Sequence, residues 1–160
     1  HEVVVDSAGC GAFMKDYGRL LGEPGRVFAS RVRDVHEWLA GRTLPPGTPV
    51  RRRIAVQDPC HLRHVQRAHQ EVRQVLAPFT VELAELDDDG LCCGAGGSYA
   101  AWHPDMAARI RDRKLAAIAA TGAEVVVSAN PGCAMHLAAA GLEVRHPVEV
   151  IDEALGGGRR

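Results

Sequence analysis

Short runs of β-branched residues alternate along the chain with stretches whose apolar residues recur every three or four positions. Val3–Val5 and residues 54–56 and 125–127 are apolar runs of strand length, residues 81–86 interleave apolar residues with Glu82 and Glu85, and each reads as a short buried strand. Between them, Phe28, Val32, Val35 and Leu39 stand at helical spacing, as do Leu62, Val65, Val72 and Leu76 and, less regularly, Met106, Ile110 and Ile118. Strands alternating with helices predict an α/β fold: a parallel-sheet, Rossmann-like unit with helices on both faces. Pro45, Pro46, Gly47 and Pro49 mark residues 44–49 as a loop hinging an N-terminal piece to the main unit.

The pattern repeats once. Glu2-Val3-Val4-Val5 followed by Ser7-Ala8-Gly9-Cys10 is matched by Glu124-Val125-Val126-Val127 followed by Asn130-Pro131-Gly132-Cys133. Two unrelated strand-to-helix turns could look alike by chance. Taken as a repeat, they make residues 1–44 the tail of a first unit, residues 50–155 a complete second unit and residues 156–160 a frayed end.

Composition narrows the picture. The 160 residues are 46% hydrophobic and 24% charged, which suits a globular chain. Lys and Arg total 19 against 20 Asp and Glu, so no overall field draws the chain to nucleic acid or acidic lipid. The longest stretch without Asp, Glu, Lys or Arg, residues 125–142, is broken by Asn130-Pro131-Gly132 and cannot be a membrane helix. His1 stands where a start Met would be and no signal-peptide pattern follows, so the chain is expected to begin inside a larger protein.

The five cysteines change the picture most. A chain of this length needs no disulfide framework, and the adjacent Cys92 and Cys93 cannot readily pair with each other. Reduced thiols that bind metal or do redox chemistry, in a cytoplasmic setting, are expected. The cysteines all fall in turns after expected strands. Cys60 follows Asp58 and Pro59, which suit a helix N-cap and first position; Cys133 follows Asn130 and Pro131 in the same two roles. Cys92 and Cys93 follow the turn at 87–90 and precede Gly94, Gly96 and Gly97. In a parallel sheet the carboxyl ends of the strands form the ligand crevice, where helix N-termini favour thiolates and anionic groups. The thiols would therefore converge on one edge. The alternative, that they are small core residues, weighs most for Cys10. The three glycines permit positive φ and close approach to a bulky group; a phosphate-cradling loop is their rival, without the Lys-Ser/Thr ending of a P-loop.

These features resemble the cysteine-rich CCG family, found in heterodisulfide reductases and in iron–sulfur subunits of glycolate and lactate oxidoreductases. Its pattern is a Cys, a spacer, Cys-Cys, a second spacer and Cys-x-x-Cys. Here 31 residues separate Cys60 from Cys92, and 36 separate Cys93 from position 130. Position 130 is Asn130 where the fullest form has Cys, which leaves four of five thiolates. Within the family the chain looks most like the C-terminal part of glycolate oxidase iron–sulfur subunits. The likeness runs through Asp58-Pro59-Cys60-His61-Leu62, Leu91-Cys92-Cys93-Gly94, Arg111-Asp112-Arg113-Lys114-Leu115, Ser128-Ala129-Asn130 with Gly132-Cys133, and Val144-Arg145-His146 with Glu149-Val150.

The resemblance implies an iron–sulfur cluster, a [4Fe–4S] centre on thiolate count, held by Cys60, Cys92, Cys93 and Cys133 with room made by Gly94, Gly96 and Gly97. Cys10 either joins this site or is the last ligand of the absent first repeat. A Cys₄ zinc site is the alternative. The implied function is electron transfer without catalysis: a subunit relaying electrons from a flavin subunit of a glycolate oxidase-type complex towards the quinone pool. An N-terminal ferredoxin-type domain of the same protein would be a partner, and membrane contact would be at most peripheral, on the inner face of the cell membrane. Heterodisulfide reductase-like activity, a lactate or glycerol-3-phosphate oxidoreductase subunit, and a structural zinc site are the competing functions.

Other polar residues read more plainly. His61 and His136 are either donors to cluster sulfur or helix-face residues, and His146-Pro147 ends the last strand. Arg51, Arg52 and Arg53 read as the solvated start of a strand, with a docking patch for an acidic partner as the alternative. Asp87, Asp88 and Asp89 read as a solvated turn. No Ser-His-Asp or Cys-His signature supports nucleophilic catalysis.

Overall fold

A computed structural model of the chain describes residues 1–157. The N-terminal lobe runs β1 (Val3–Val5), α1 (Ala8–Lys15), α2 (Tyr17–Leu21), α3 (Glu23–Ala29), β2 (Val32–Asp34) and α4 (Val35–Ala40). The loop expected at 44–49 then leads to β3 (Val50–Gln57), a π-helical turn (His61–Gln66), α5 (His69–Leu76), β4 (Thr80–Glu85), α6 (Tyr99–Trp102) and α7 (Pro104–Ala120). The chain closes with β5 (Val125–Ser128), α8 (Pro131–Ala138), β6 (Val144–Arg145) and α9 (Pro147–Ala154).

All strand pairings are parallel, as the β–α alternation predicts. They form two sheets: β1 pairs with β2, and the larger sheet has the order β4-β3-β5-β6. Side-chain alternation sorts the core. Ile54, Val56, Val125 and Val127 face one side and pack with Leu62, Val72, Leu76, Phe79, Val150 and Ile151. Ala55 and Val126 face the other, with Ile118, Leu137, Cys93 and Cys133. Helices therefore cover both faces. β3 and β5 are neighbours whose following connections leave to opposite sides, which opens a crevice at their carboxyl ends. Buried Gln57 and Ser128 join these ends: Ser128 Oγ donates to Gln57 Oε1 at 2.7 Å, and Gln57 Nε2 donates to the Asp58 carbonyl at 2.6 Å.

Several expected elements differ. The periodic stretch 28–39 is not one helix but the end of α3, the strand β2 and α4. Asp34 breaks it by accepting from His36 N–H at 2.9 Å while Glu37 accepts from Asp34 N–H at 2.8 Å, a reciprocal cap that starts a new helix. The stretch 62–76 is divided at Arg67, whose φ of +58° ends the π-helical turn. Val65 is exposed there, whereas Leu62, Val72 and Leu76 are buried. On α7, Met106 is exposed and Lys114 takes a place on the buried face. Asp58 does not cap the turn after β3, because its carboxylate is taken by Arg73 at 2.7 Å and Arg63 at 3.3 Å. Arg52 and Arg53 pair with Glu143 and Glu82 at the surface, as a solvated strand start requires.

The likeness between the chain's two ends extends past the cysteine turns. β1-α1 and β2-α4 correspond in order to β5-α8 and β6-α9, and α4 and α9 each begin with a capping box, Asp34 with Glu37 and His146 with Glu149. The two halves meet where Ala8 N–H donates to the Ala129 carbonyl at 3.0 Å and where the His36 and His146 rings lie 5.4 Å apart. At the C-terminus, Gly156 and Gly157 N–H groups donate back to Glu153 and Asp152; residues 158–160 of the expected frayed end lie outside the described residues. No helix among the described residues is long and apolar enough to cross a membrane.

Candidate metal centre

Three turns at the carboxyl edge of the larger sheet carry the thiols. Cys60 follows β3 directly, Cys133 lies in the first turn of α8 after β5, and Cys92 and Cys93 sit in the loop that follows β4. Cys60 and Cys133 thus flank the switch point between β3 and β5, and the Cys92-Cys93 loop reaches in from the side. Cys93 and Cys133 are buried, while Cys60 and Cys92 are half-buried.

The four thiols are neighbours in a row: Cys60 against Cys92, Cys92 against Cys93, and Cys93 against Cys133. The closeness of the thiols divides their acidities. The neighbouring thiols of Cys60 and Cys93 hold Cys92 well below the usual thiol range; Gly94 N–H, 3.4 Å from its sulfur, and the Lys114 charge add to this. Cys133 is lowered in the same sense by Cys93 and then by the Asn130 side chain, whose Nδ2 is 3.5 Å from its sulfur. Cys60 and Cys93 are pushed up as the proton-holding partners, with burial adding to both. N–H groups of His61 and Ala95 approach the sulfurs of Cys60 and Cys93. Each of the four sulfurs therefore has an N–H donor beside it, as anionic sulfur in a dry site requires.

Lys114, which in sequence is only one residue of a helix motif, is the buried cation of this region. Its Nζ is 2.5 Å from Asp88 Oδ2, and the other carboxylate oxygen of Asp88 accepts from Gly90 N–H at 3.0 Å. Asp88 is therefore not a solvated turn residue. It ties the cysteine loop to α7, and the signal in sequence was a lysine on the apolar face of a helix. The glycines do take positive φ: +92° at Gly94, +53° at Gly96 and +62° at Gly97. At Gly94 a Cβ would lie 2.5 Å from the Ala107 carbonyl, so its missing side chain admits α7. At Gly97 nothing lies within 4 Å of such a Cβ.

Asn130 is at the N-cap of α8 by position and Pro131 follows at the first helical site, but the Asn130 side chain does not cap α8. Its Oδ1 accepts instead from Gly9 N–H at 3.0 Å, in the first turn of α1. Cys10, also on α1, is exposed, whereas the other four cysteines are buried or half-buried. His61 Nδ1 is 3.6 Å from the Cys60 sulfur, whereas His136 Nε2 faces the Ala107 carbonyl at 3.4 Å and His146 caps α9.

Among the described residues no three Cys, His, Asp or Glu side chains surround one point as a single metal ion requires. A row of four thiols with N–H donors fits better a sulfur-bridged group of irons, each taking one thiolate. The donor set is thus of the right chemistry for an iron–sulfur cluster.

Comparison with known proteins agrees with this chemistry. The profile of the cysteine-rich domain family CCG matches residues 54–138, which contain all four thiols. The glycolate oxidase iron-sulfur subunit of Escherichia coli K12 is 36% identical over 162 residues, covering 96% of this chain and 40% of that protein. One subunit of the dihydromethanophenazine:CoB–CoM heterodisulfide reductase of Methanosarcina barkeri is 30% identical, covering 97% and 41%. One subunit of the CoM/CoB fumarate reductase of Methanothermobacter marburgensis is 32% identical, covering 84% and 27%. The chain spans less than half the length of these relatives. It belongs to the CCG cysteine-rich domain family.

Proposed function

We propose that this chain is the cluster-bearing part of an iron–sulfur electron-transfer subunit in a glycolate oxidase-type complex. Cys60, Cys92, Cys93 and Cys133 would hold a [4Fe–4S] cluster. The observation that carries this reading is the gathering of four thiols, each with an N–H donor, at the switch point of a parallel sheet. Similarity to a glycolate oxidase iron-sulfur subunit over 96% of the chain favours that branch. In the larger protein, residues 1–44 would complete a first cysteine-rich repeat, residues 50–155 would be the second, and an N-terminal ferredoxin-type domain would precede both.

When bound, such a cluster takes up and releases single electrons, while hydride removal from a 2-hydroxy acid falls to the flavin of a partner subunit. The residues of this chain prepare the site. Burial of Cys93 and Cys133 keeps water from the inner side, and half-exposed Cys60 and Cys92 leave an outer side for exchange with a partner. The Lys114 ammonium and the N–H groups of Gly94 and Ala95 offset the negative charge that four thiolates bring. Electrons would pass on towards the quinone pool, with any membrane contact peripheral.

Two measurements test the proposal. Anaerobic reconstitution should give brown protein with about four iron and four sulfide per chain; colourless protein holding zinc would overturn it. In the full-length subunit mixed with its flavin partner, Cys60→Ser should leave flavin reduction by glycolate intact and block transfer beyond the flavin. If lactate or glycerol-3-phosphate reduces the complex and glycolate does not, the choice of substrate falls while the relay stands.

A further inference from the structure

We infer that Asn130 is a positioning residue whose one amide joins helix α1 to the cluster ligand Cys133 and helps set the cluster's reduction potential. The inference rests on the iron–sulfur reading above. Its geometry begins at Gly9, the second residue of α1, whose N–H lies in the first turn and has no partner within its own helix. Ser7, the N-cap of α1, makes no side-chain cap bond. Asn130 Oδ1 supplies one from 121 residues away, at 3.0 Å. A backbone N–H can only donate, so the amide oxygen must face Gly9, and the amide NH₂ is thereby turned towards the Cys133 sulfur at 3.5 Å.

The surroundings fix this orientation further. A Cβ on Gly9 would lie 3.3 Å from Asn130 Oδ1, so the close approach of α1 suits a glycine there. Ala8 N–H donates to the Ala129 carbonyl at 3.0 Å, which pins the adjoining backbone of both segments. Asn130 also leaves its own helix α8 uncapped, so its side chain serves the contact between lobes rather than local helix stability. A hydrogen bond to a ligand sulfur draws electron density from the cluster and favours the reduced state. One side chain thus makes the seating of the N-terminal lobe and the potential of the centre interdependent.

The two halves of the amide can be separated by substitution in the full-length protein. Asn130→Asp keeps an oxygen for Gly9 N–H but removes the donor to sulfur and places negative charge beside it. Asn130→Ala removes both contacts. In cluster-reconstituted protein, a spectroelectrochemical titration should give a lower midpoint potential for both variants than for wild type. Hydrogen exchange at the Gly9 amide should match wild type in Asn130→Asp and run about fivefold faster in Asn130→Ala, as loss of a helix cap would produce. Equal potentials in wild type and Asn130→Asp, with clusters intact, would overturn the link to the cluster. Unchanged Gly9 exchange in Asn130→Ala would overturn the link to α1. Wild-type protein that takes up no iron although Gly9 is protected would overturn the iron–sulfur reading itself.

Discussion

The ammonium of Lys114 stands 2.5 Å from Asp88 Oδ2, with the two side chains only 1% and 7% exposed. This pair holds the Cys92-Cys93 loop onto α7 and puts positive charge beside the thiols. Removing one partner would leave the other buried and unpaired. Lys114→Met should therefore cost about 3–5 kcal/mol in urea denaturation, and the double variant with Asp88→Asn should recover much of that loss. A cost below about 1 kcal/mol for the single change would mean that the loop is held by other contacts.

Gly94 should tolerate no side chain. Its φ of +92° is unfavourable for other residues, and a Cβ would meet the Ala107 carbonyl at 2.5 Å. Gly94→Ala should lose about 2 kcal/mol or more, with faster hydrogen exchange in the first turns of α7. Wild-type stability in this variant would show that α7 can give way.

His146 should make stability fall as the solution is acidified. Burial, with the neighbouring His36 adding to it, holds the folded imidazole below its ordinary value of 6.5. The unfolded chain then binds the extra proton first. The contribution is complete above about pH 6.5 and is lost as pH falls towards the depressed folded value. Protonation also removes the Nδ1 acceptor that caps Val148 N–H at 3.2 Å. Asn at position 146 keeps an acceptor without titrating. The drop in melting temperature between about pH 7 and about pH 5.5 should be smaller in His146→Asn than in wild type. An equal drop would assign the acid sensitivity elsewhere.

The cysteines should divide into two groups by iron content. Cys93→Ser should lose most of the iron after reconstitution, because a hydroxyl is a harder and poorer ligand for this metal. Cys10→Ser should keep it if Cys10, exposed where the other four are buried or half-buried, belongs to the first repeat. Iron loss in Cys10→Ser would bring α1 into the site.

The fold was legible wherever short-range pattern decides structure. Apolar runs located β1, β3 and β5, the apolar residues interleaved with Glu82 and Glu85 located β4, and the Pro-rich stretch located the loop before β3. Periodicity misled at 28–39 and 62–76, because three or four apolar residues at helical spacing also fit a strand joined to short helices. There the outcome turned on the Asp34–Glu37 cap and on the left-handed turn at Arg67.

Sequence by itself determined the α/β alternation, the spacing of Cys60, Cys92, Cys93 and Cys133, and their placement in turns after strands, since each is a property of neighbouring residues. Only the tertiary structure decided which side chains these turns meet. Asp88 finds Lys114 across 26 residues, and the amide of Asn130 turns from its own helix to Gly9. A polar side chain entering a buried edge takes whatever complementary group packing brings within reach, and local pattern carries no record of that choice.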